Sequence, residues 1–286
     1  MANLEVSRAE RLDQRVVSMY PQLSRAYAAK LIEKKRVSVN GQPQIKPGYK
    51  LRPDDAVVVE YDADAETTVP EIDLEIVYED DDCVVVNKPT GLLTHSKGSY
   101  NPEPTVATWL RGRVNHLEGN RAGIVHRLDR ATSGVMICAK TPEALSWLQK
   151  QFAQRKTKKT YIAVVKGVPQ PAAAVIDMPI ERNPKSPAQF RVGAQGKPAK
   201  TTYRTISSDG TYSLLELKPE TGRTHQLRVH LAHEGHAIVG DVLYNGAPAD
   251  RLYLHAAELE LTIVKNHERK VFRVAPPAEF AQKLKP

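Results

Sequence analysis

An acidic segment divides this chain into two basic parts, and that division limits the folds open to it. Residues 62–82 contain ten Asp and Glu residues and no Lys or Arg, whereas residues 1–61 contain 11 basic and 7 acidic residues. Residues 83–286 contain 30 basic and 16 acidic residues. The stretch 62–70 is rich in Asp, Ala, Glu and Thr and ends in Pro70, which predicts a linker. We therefore expect a small module at 1–61, a linker at 62–70 and a larger domain at 71–286.

The composition indicates a globular protein with a polyanionic partner. Of the 286 residues, 41% are apolar, which suffices for a core, and apolar runs such as Cys83–Val86 are too short to span a bilayer. No secretory signal is visible, and two cysteines inside apolar runs predict buried, reduced thiols. We expect a cytoplasmic protein without membrane association. The net charge of +8 favours a nucleic acid as partner, although an ordinary solvated basic surface would give the same count.

Residues 1–61 have the pattern of two helices followed by a β-hairpin. Apolar residues recur at helical spacing from Leu12 to Tyr20, Ser24 is placed to cap a second helix, and Asn40-Gly41 is a hairpin-turn signal. With residues 36–41 (Arg-Val-Ser-Val-Asn-Gly), this stretch resembles the compact RNA-binding module first seen in a small-subunit ribosomal protein. The resemblance implies RNA binding by the basic residues Arg25, Lys34, Lys35 and Arg36. Alternatively, these bases only keep a helix soluble.

Beyond the linker, strand-length apolar runs alternate with helical stretches, as in a mixed α/β domain. Thr141 followed by Pro142 predicts the start of one helix. Lys88 and His95 lie in the stretch Asn-Lys-Pro-Thr-Gly-Leu-Leu-Thr-His, where Pro and Gly predict a tight, exposed loop.

Residues 126–134 (His-Arg-Leu-Asp-Arg-Ala-Thr-Ser-Gly) separate two apolar runs and place Asp129 between Arg127 and Arg130. The neighbouring cations favour an ionised carboxylate, which suits a nucleophile or an orienting group better than a general acid. A turn carboxylate that only accepts hydrogen bonds from loop amides would fit the same pattern.

Residues 221–233 predict a helix whose polar side chains border its buried face. At about 100° per residue, Arg223, Gln226, His230 and His233 lie within a stripe about 80° wide. His225 points about 140° away from His230, and no His-Glu-x-x-His pair is present, so a zinc site is not expected. The simpler interpretation of His225 is a hydrogen-bonded structural histidine. Gly235 is predicted to end the helix.

Together these stretches resemble the RluA-type pseudouridine synthases. The family has the His-Arg-Leu-Asp loop, the upstream Asn-Lys-Pro-x-Gly loop, a strand with Tyr161 and the Thr-Gly-Arg-Thr-His-Gln stretch in this order, and residues 235–244 also fit. The resemblance covers roughly residues 71–286. It implies an α+β protein, in which a small α/β RNA-binding module precedes a catalytic domain with a curved, mostly antiparallel mixed sheet and a central cleft.

The resemblance also assigns functions to individual residues. It implies that Asp129 is the catalytic aspartate, that Tyr161 contacts the target base and that Arg223 pairs with Asp129. It implies that Arg127 enters the RNA and helps to displace the nucleotide. The residues assigned to RNA binding in this domain are Arg127, Arg130, Lys88 and His95.

Conversion of uridine to pseudouridine moves the glycosidic bond from a ring nitrogen to carbon 5 of the same base, so no cofactor and no metal is required. Asp129 could attack the ribose, attack the uracil ring or abstract a sugar proton, and the sequence leaves these three routes open. The base must leave its stack first, at a cost of a few kcal/mol.

Two positions depart from the family pattern, and both concern the shape of the RNA groove. Ser96 stands where proline is frequent, and Glu181 stands where glycine is usual. The expected target is large-subunit ribosomal RNA, by analogy with the ribosomal-type module, with transfer RNA as an alternative and a monomer as the expected state. The main competing function is a non-catalytic RNA-binding protein of ribosome assembly. A glycoside hydrolase is disfavoured because it needs two carboxylates across the scissile bond.

Overall fold

The structure, a computed structural model, describes residues 10–21, 23–61, 69–96, 103–117, 121 and 123–284. The chain divides into two units, one comprising Met1–Ile72 and His95–Thr108 and the other Asp73–Thr94 and Trp109–Pro286. Most of the predicted linker, residues 62–68, lies outside the described residues. The domain boundaries at 61 and 71 therefore stay a prediction.

The first unit contains two short helices and a three-stranded sheet. In chain order these are α1 (Leu12–Met19), α2 (Arg25–Glu33), β1 (Val37–Val39), β2 (Gln42–Pro43) and β3 (Val57–Val59). Ser24 caps α2 as predicted, because its Oγ accepts a hydrogen bond from the Tyr27 amide. The Asn40-Gly41 turn joins β1 to β2, and both of its residues have positive φ, as this turn type requires. Strand β3 pairs with the other edge of β1.

The remaining elements form a large sheet with flanking helices. The strands are β4 (Glu75–Glu79), β5 (Cys83–Lys88), β6 (Ser133–Ala139), β7 (Lys158–Lys166), β8 (Ala173–Asp177), β9 (Ile180–Arg182), β10 (Phe190–Val192), β11 (Lys200–Ser208), β12 (Tyr212–Pro219), β13 (Leu254–Thr262) and β14 (Arg269–Arg273). The helices are α3 (Val106–Leu110), α4 (Pro142–Ala153), α5 (Gln226–His233) and α6 (Glu279–Gln282), with 3-10 turns at Arg111–Arg113, Val242–Tyr244 and Lys265–His267.

Nine of these strands form one sheet in the order β4-β5-β6-β13-β7-β12-β11-β8, with β14 paired to β13. Every pair is antiparallel except β6 with β13. The predicted mostly antiparallel mixed sheet is therefore confirmed. Strands β9 and β10 form a separate hairpin.

Two local predictions for this unit are also confirmed. Thr141 caps α4 through a hydrogen bond that its Oγ1 accepts from the Ala144 amide, and Pro142 occupies the first turn. Cys83 and Cys138 are buried free thiols. Within the part of the chain that the structure describes, no helix has the length and apolar composition to cross a membrane.

The parallel contact between β6 and β13 requires a glycine. Gly134 has φ +116°, and a Cβ added there would collide with the backbone of Ala256. This close approach fixes the point at which the loop carrying Asp129 enters the sheet, beside β7 on the other side of β13.

Candidate active site

The loop at residues 88–95 holds the Asp129 loop in place by binding the backbone carbonyls of that loop. The carbonyl oxygens of residues 128, 130 and 131 accept hydrogen bonds from Thr94 Oγ1 (2.8 Å), the Gly91 amide (2.8 Å) and Thr90 Oγ1 (2.9 Å). The Asn-Lys-Pro-Thr-Gly stretch therefore supports the Asp129 loop and positions its backbone.

Lys88 completes this support from the interior. The side chain is fully buried, and its Nζ lies within 3.3 Å of three carbonyl oxygens, those of Pro89, Leu92 and Arg130. Burial lowers the pKa of Lys88 to about 7. The predicted exposure of Lys88 and His95 is wrong, because Lys88 ends strand β5 on its buried face and His95 is only 7% exposed. Neither side chain is available to a phosphate.

His126 anchors the other end of the Asp129 loop. Its Nε2 accepts a hydrogen bond from the Ile137 amide (3.2 Å), and its ring stacks on Phe152 with centroids 4.5 Å apart. Burial lowers the pKa of His126 to about 3, so the ring is neutral at physiological pH. The next residue, Arg127, is exposed at the cleft.

Helix α5 begins at Gln226, five residues later than the sequence predicts, and this changes which side chains reach Asp129. Gln226 Oε1 accepts hydrogen bonds from Thr221 Oγ1 (2.6 Å) and the Arg223 amide (3.0 Å), which holds residues 221–225 in a turn. His225 precedes the helix with a left-handed backbone (φ 56°). Arg223 thus lies outside the helix, and the expected Arg223–Asp129 pairing is wrong, because Arg223 Nε donates to the Pro198 carbonyl instead.

Arg228 is the guanidinium beside Asp129. Its Nη1 lies 3.8 Å from Asp129 Oδ2, while Nε and Nη2 each donate a 2.7 Å hydrogen bond to the buried Asp241 carboxylate. Burial alone would lower the pKa of Arg228, but the hydrogen bonds to Asp241 and the charges of Asp241 and Asp129 hold it above its ordinary value. Arg228 is therefore a permanent cation, fixed in orientation by Asp241.

His225 approaches the same oxygen from the other side. Its Nε2 lies 3.9 Å from Asp129 Oδ2, and its Nδ1 lies 2.8 Å from Tyr244 Oη. The Tyr244 ring also lies under the Arg228 guanidinium, 5.0 Å from its centroid. We refer to Asp129, His225, Arg228, Asp241 and Tyr244 as the Asp129 network. Among the described residues, no group donates a hydrogen bond to either Asp129 carboxylate oxygen.

The Asp129 network opens onto a cleft of about 120 Å³ that also contains Tyr161. Tyr161 lies on β7, and burial followed by the charge of Asp129 raises the pKa of its phenol, so the hydroxyl keeps its proton. Lys159, two residues earlier on the same face of the strand, lines this cleft as well. Asp129 and Tyr161, to which the resemblance assigns functions in one reaction, thus line the same cleft, and the strand alternation could have indicated Lys159.

A larger depression of about 400 Å³ adjoins the cleft and shares Arg127, Lys159 and Arg223 with it. Four cations line it, and we call them the cation rim: Arg127, Arg155, Lys159 and Arg223. His126 and Phe152 provide its aromatic surface. Positive charge next to aromatic rings suits a nucleic-acid strand.

The other predicted site residues are dispersed. Arg130 is exposed, and its carbonyl binds the supporting loop. In the first unit, Lys34 and Lys35 are exposed, Arg36 is half-buried, and Arg25 donates a hydrogen bond to the buried Asp13 (2.9 Å). Across the described residues, no three His, Cys, Asp or Glu side chains are arranged to hold a metal ion.

Comparisons with known proteins agree with this geometry. Residues 82–233 match the model of the RNA pseudouridylate synthase family, and residues 10–57 match that of the S4 domain. The ribosomal large subunit pseudouridine synthase D of Salmonella typhimurium is 39% identical over 271 residues, which cover 88% of this chain and 82% of that protein. The chain belongs to the RNA pseudouridylate synthase family. The RluA-type resemblance, the α+β fold class and the activity that they implied are confirmed.

Two further relatives extend the comparison. An uncharacterized RNA pseudouridine synthase of Aquifex aeolicus is 40% identical over 246 residues, covering 82% of this chain and 77% of that protein. Among solved structures, human RNA pseudouridylate synthase domain containing 1 superimposes with a TM-score of 0.59 at 29% identity, covering 72% of this chain and 84% of that one. The substrate of this enzyme is RNA, and the S4 match is consistent with an RNA-binding first unit.

Proposed function

We propose that this synthase isomerises uridine in large-subunit ribosomal RNA, with Asp129 as the catalytic residue. The observation that carries the assignment is the Asp129 carboxylate itself, which lies in a cleft, accepts no hydrogen bond from the described residues and faces two nitrogen-bearing side chains. A carboxylate that only stabilised a turn would accept hydrogen bonds from loop amides.

The reaction breaks the bond between the ribose C1′ and N1 of uracil and forms a bond from C1′ to C5; C5 loses its proton and N1 gains one, so the composition is unchanged. Asp129 supplies an electron pair, whether it attacks the ribose, attacks the ring or removes a sugar proton. Each route requires an unprotonated carboxylate, and the Arg228 guanidinium lies 3.8 Å from Oδ2 of that carboxylate. Arg228 therefore has the function that the sequence assigned to Arg223.

Tyr161 contacts the displaced uracil in this proposal. Its ring lines the same cleft as Asp129, and a base that has left its stack binds well against an aromatic face. Arg127, exposed at the border of the cleft, helps to displace the nucleotide. The cation rim binds the phosphates on either side of the target, which offsets the unstacking cost of a few kcal/mol.

The choice of ribosomal RNA rests on the named relatives and on the S4 match. In the first unit, we propose that the exposed Lys34 and Lys35 contact phosphates together with Arg25 and Arg36. We further propose that the protein acts as a monomer in the cytoplasm.

Incubation of the purified protein with separate transcripts of large-subunit ribosomal RNA and of transfer RNA, followed by pseudouridine mapping, tests the proposal. We expect pseudouridine at defined positions in the ribosomal transcript only. Modification confined to transfer RNA would reject the target, and no modification of either transcript would favour a non-catalytic RNA-binding protein.

A further inference from the structure

His225 combines a left-handed backbone with a ring that lies between two polar groups. Its backbone adopts the left-handed conformation, and its ring makes edge contacts with Phe190 and Tyr244 at 5.7 Å. This conformation directs the ring nitrogens to two polar groups, Tyr244 Oη and Asp129 Oδ2. A non-glycine residue held in this region costs free energy, and such residues are concentrated at functional sites.

The hydrogen bonds of Tyr244 favour one position for the proton on the His225 ring. Tyr244 Oη accepts a hydrogen bond from the Phe190 amide (2.9 Å), and its remaining partner among the described residues is His225 Nδ1 (2.8 Å). Burial raises the pKa of Tyr244, so the phenol keeps a proton, and Nδ1 is the acceptor in reach of it. The proton of a neutral His225 is then on Nε2, the nitrogen that faces Asp129.

The charges around His225 keep it neutral near pH 7. Burial lowers its pKa, the Asp129 charge opposes that effect, and Arg228 lowers the pKa further; Asp241 and Arg127 also contribute, in opposite directions. A neutral imidazole with a proton on Nε2 can donate a hydrogen bond to Asp129 without neutralising it, whereas an imidazolium would compete with Arg228 for the carboxylate.

We propose that His225 is a positioning residue for Asp129, an inference that rests on the proposed function. Its Nε2–H and Arg228 Nη1 lie 3.9 and 3.8 Å from the same oxygen, Oδ2, and together they hold that oxygen when the substrate fills the cleft. The carboxylate is thereby prevented from rotating, and Oδ1 is presented to the nucleotide. Hydrogen bonds of this kind shorten in the reactive complex, so separations near 4 Å in the free enzyme are compatible with the assignment.

Two substitutions separate the two nitrogens of the ring. In His225→Asn, the side-chain amide lies near the position of Nδ1, so the hydrogen bond with Tyr244 is kept and the donor facing Asp129 is removed. In His225→Gln, the longer side chain brings an N–H near the position of Nε2, so the donor is kept and the hydrogen bond with Tyr244 is broken. Asparagine also tolerates the left-handed backbone, so His225→Asn is expected to fold.

Single-turnover rates with saturating enzyme, measured together with RNA affinity and thermal unfolding, test the proposal. We expect His225→Asn to be at least about tenfold slower with unchanged affinity and melting temperature, and His225→Gln to recover most of the rate. A wild-type rate for His225→Asn, or equal losses in both variants, would overturn the positioning function. Asp129→Asn is the reference: if it stays active, the proposed function fails, whereas an inactive Asp129→Asn beside a fully active His225→Asn rejects this inference alone.

A second measurement needs no substitution. Nitrogen-15 chemical shifts of the histidine rings in the wild-type protein at pH 7 report which nitrogen is protonated. We expect the Nε2–H form for His225, and we expect Tyr244→Phe to abolish this preference while leaving the ring contacts with Arg228. Finding the Nδ1–H form or an imidazolium in the wild type would overturn the proposal, even if the substituted proteins failed to fold.

Discussion

The Asp129 network and the cation rim share one cleft region, yet they are built in opposite ways. In the network, Arg228 and Asp241 are buried and held by two 2.7 Å hydrogen bonds, and Asp241 is held in turn by the amides of residues 243 and 244. In the rim, Arg127 and Arg155 are exposed, and Lys159 and Arg223 are half-buried. Rigid, desolvated groups act on reacting atoms, whereas exposed cations act on a polyanion as a whole. Substitutions in the network should therefore change the reaction rate, and substitutions in the rim should change RNA affinity.

Replacement of the proposed catalytic carboxylate should have the largest effect. Asp129→Asn is nearly isosteric and removes the charge and the electron pair, so pseudouridine formation should fall by at least about a thousandfold. RNA affinity should stay within a few-fold of wild type, because the carboxylate contacts no phosphate. Equilibrium binding and product analysis, in a preparation free of the host's own synthases, measure both. Substantial residual activity would reject Asp129 as the catalytic residue.

Arg127→Ala should separate base displacement from chemistry. We expect about a tenfold slower reaction on a structured RNA and a much smaller effect on an unstacked target, because unstacking costs a few kcal/mol only where a stack exists. Rates on a hairpin and on a short single strand with the same target uridine provide the measurement. Equal reductions on both substrates would show that Arg127 acts in the chemical step and belongs with the network.

Lys88 tests how the Asp129 loop is supported. Its pKa is lowered to about 7 by burial, from 10.5 in an unfolded chain, so the folded state binds fewer protons between these values. The free energy of unfolding should therefore rise with pH from about 7 to 10 through this contribution. Below that range Lys88 is charged in the folded protein, and its contribution to stability should be lowest. Urea unfolding of wild type and Lys88→Met at several pH values gives the difference that isolates Lys88. A difference that does not change with pH would contradict the lowered pKa.

The smallest effect is expected in the first unit. Lys34→Gln with Lys35→Gln should reduce the slope of log affinity against log salt by about 0.7 for each phosphate that is no longer neutralised, and leave the rate at saturating RNA unchanged. Lys150→Gln with Lys265→Gln, which removes the same two charges at exposed sites in the second unit, is the matched control. An unchanged slope in the double variant would reject these lysines as RNA-binding residues.

The sequence assigned Asp129 and Tyr161 to one site, and both line the same cleft, because each lies in a local pattern, a loop between apolar runs and a strand, that the fold preserves. It did not place Arg228 and His225 beside Asp129, because the predicted helix was extended back through residues 223–225. No sequence signal predicts the left-handed backbone of His225, because glycine indicates this conformation and histidine does not. Placing the helix start at Gln226 rotates every side chain before it away from the predicted stripe.

Burial of charge was the other feature that the sequence could not supply. A lysine next to Pro and Gly is most often exposed, and Lys88 is buried because three carbonyl oxygens converge on it from chain segments 42 residues apart. The pairing of Arg228 with Asp241 spans 13 residues and depends on the turn at Val242–Tyr244. The parallel pairing of β6 with β13 is likewise a long-range property of the sheet.

A matched pair of substitutions tests whether Arg228 or Arg223 acts with Asp129. Arg228→Lys keeps the charge but cannot bind Asp241 with two donors and face Asp129 at once, so the single-turnover rate should fall by about a hundredfold at unchanged RNA affinity. Arg223→Lys should stay within about threefold of the wild-type rate, because its charge serves binding at the rim. A slow Arg223→Lys enzyme beside a normal Arg228→Lys enzyme would show that Arg223, and not Arg228, acts with Asp129.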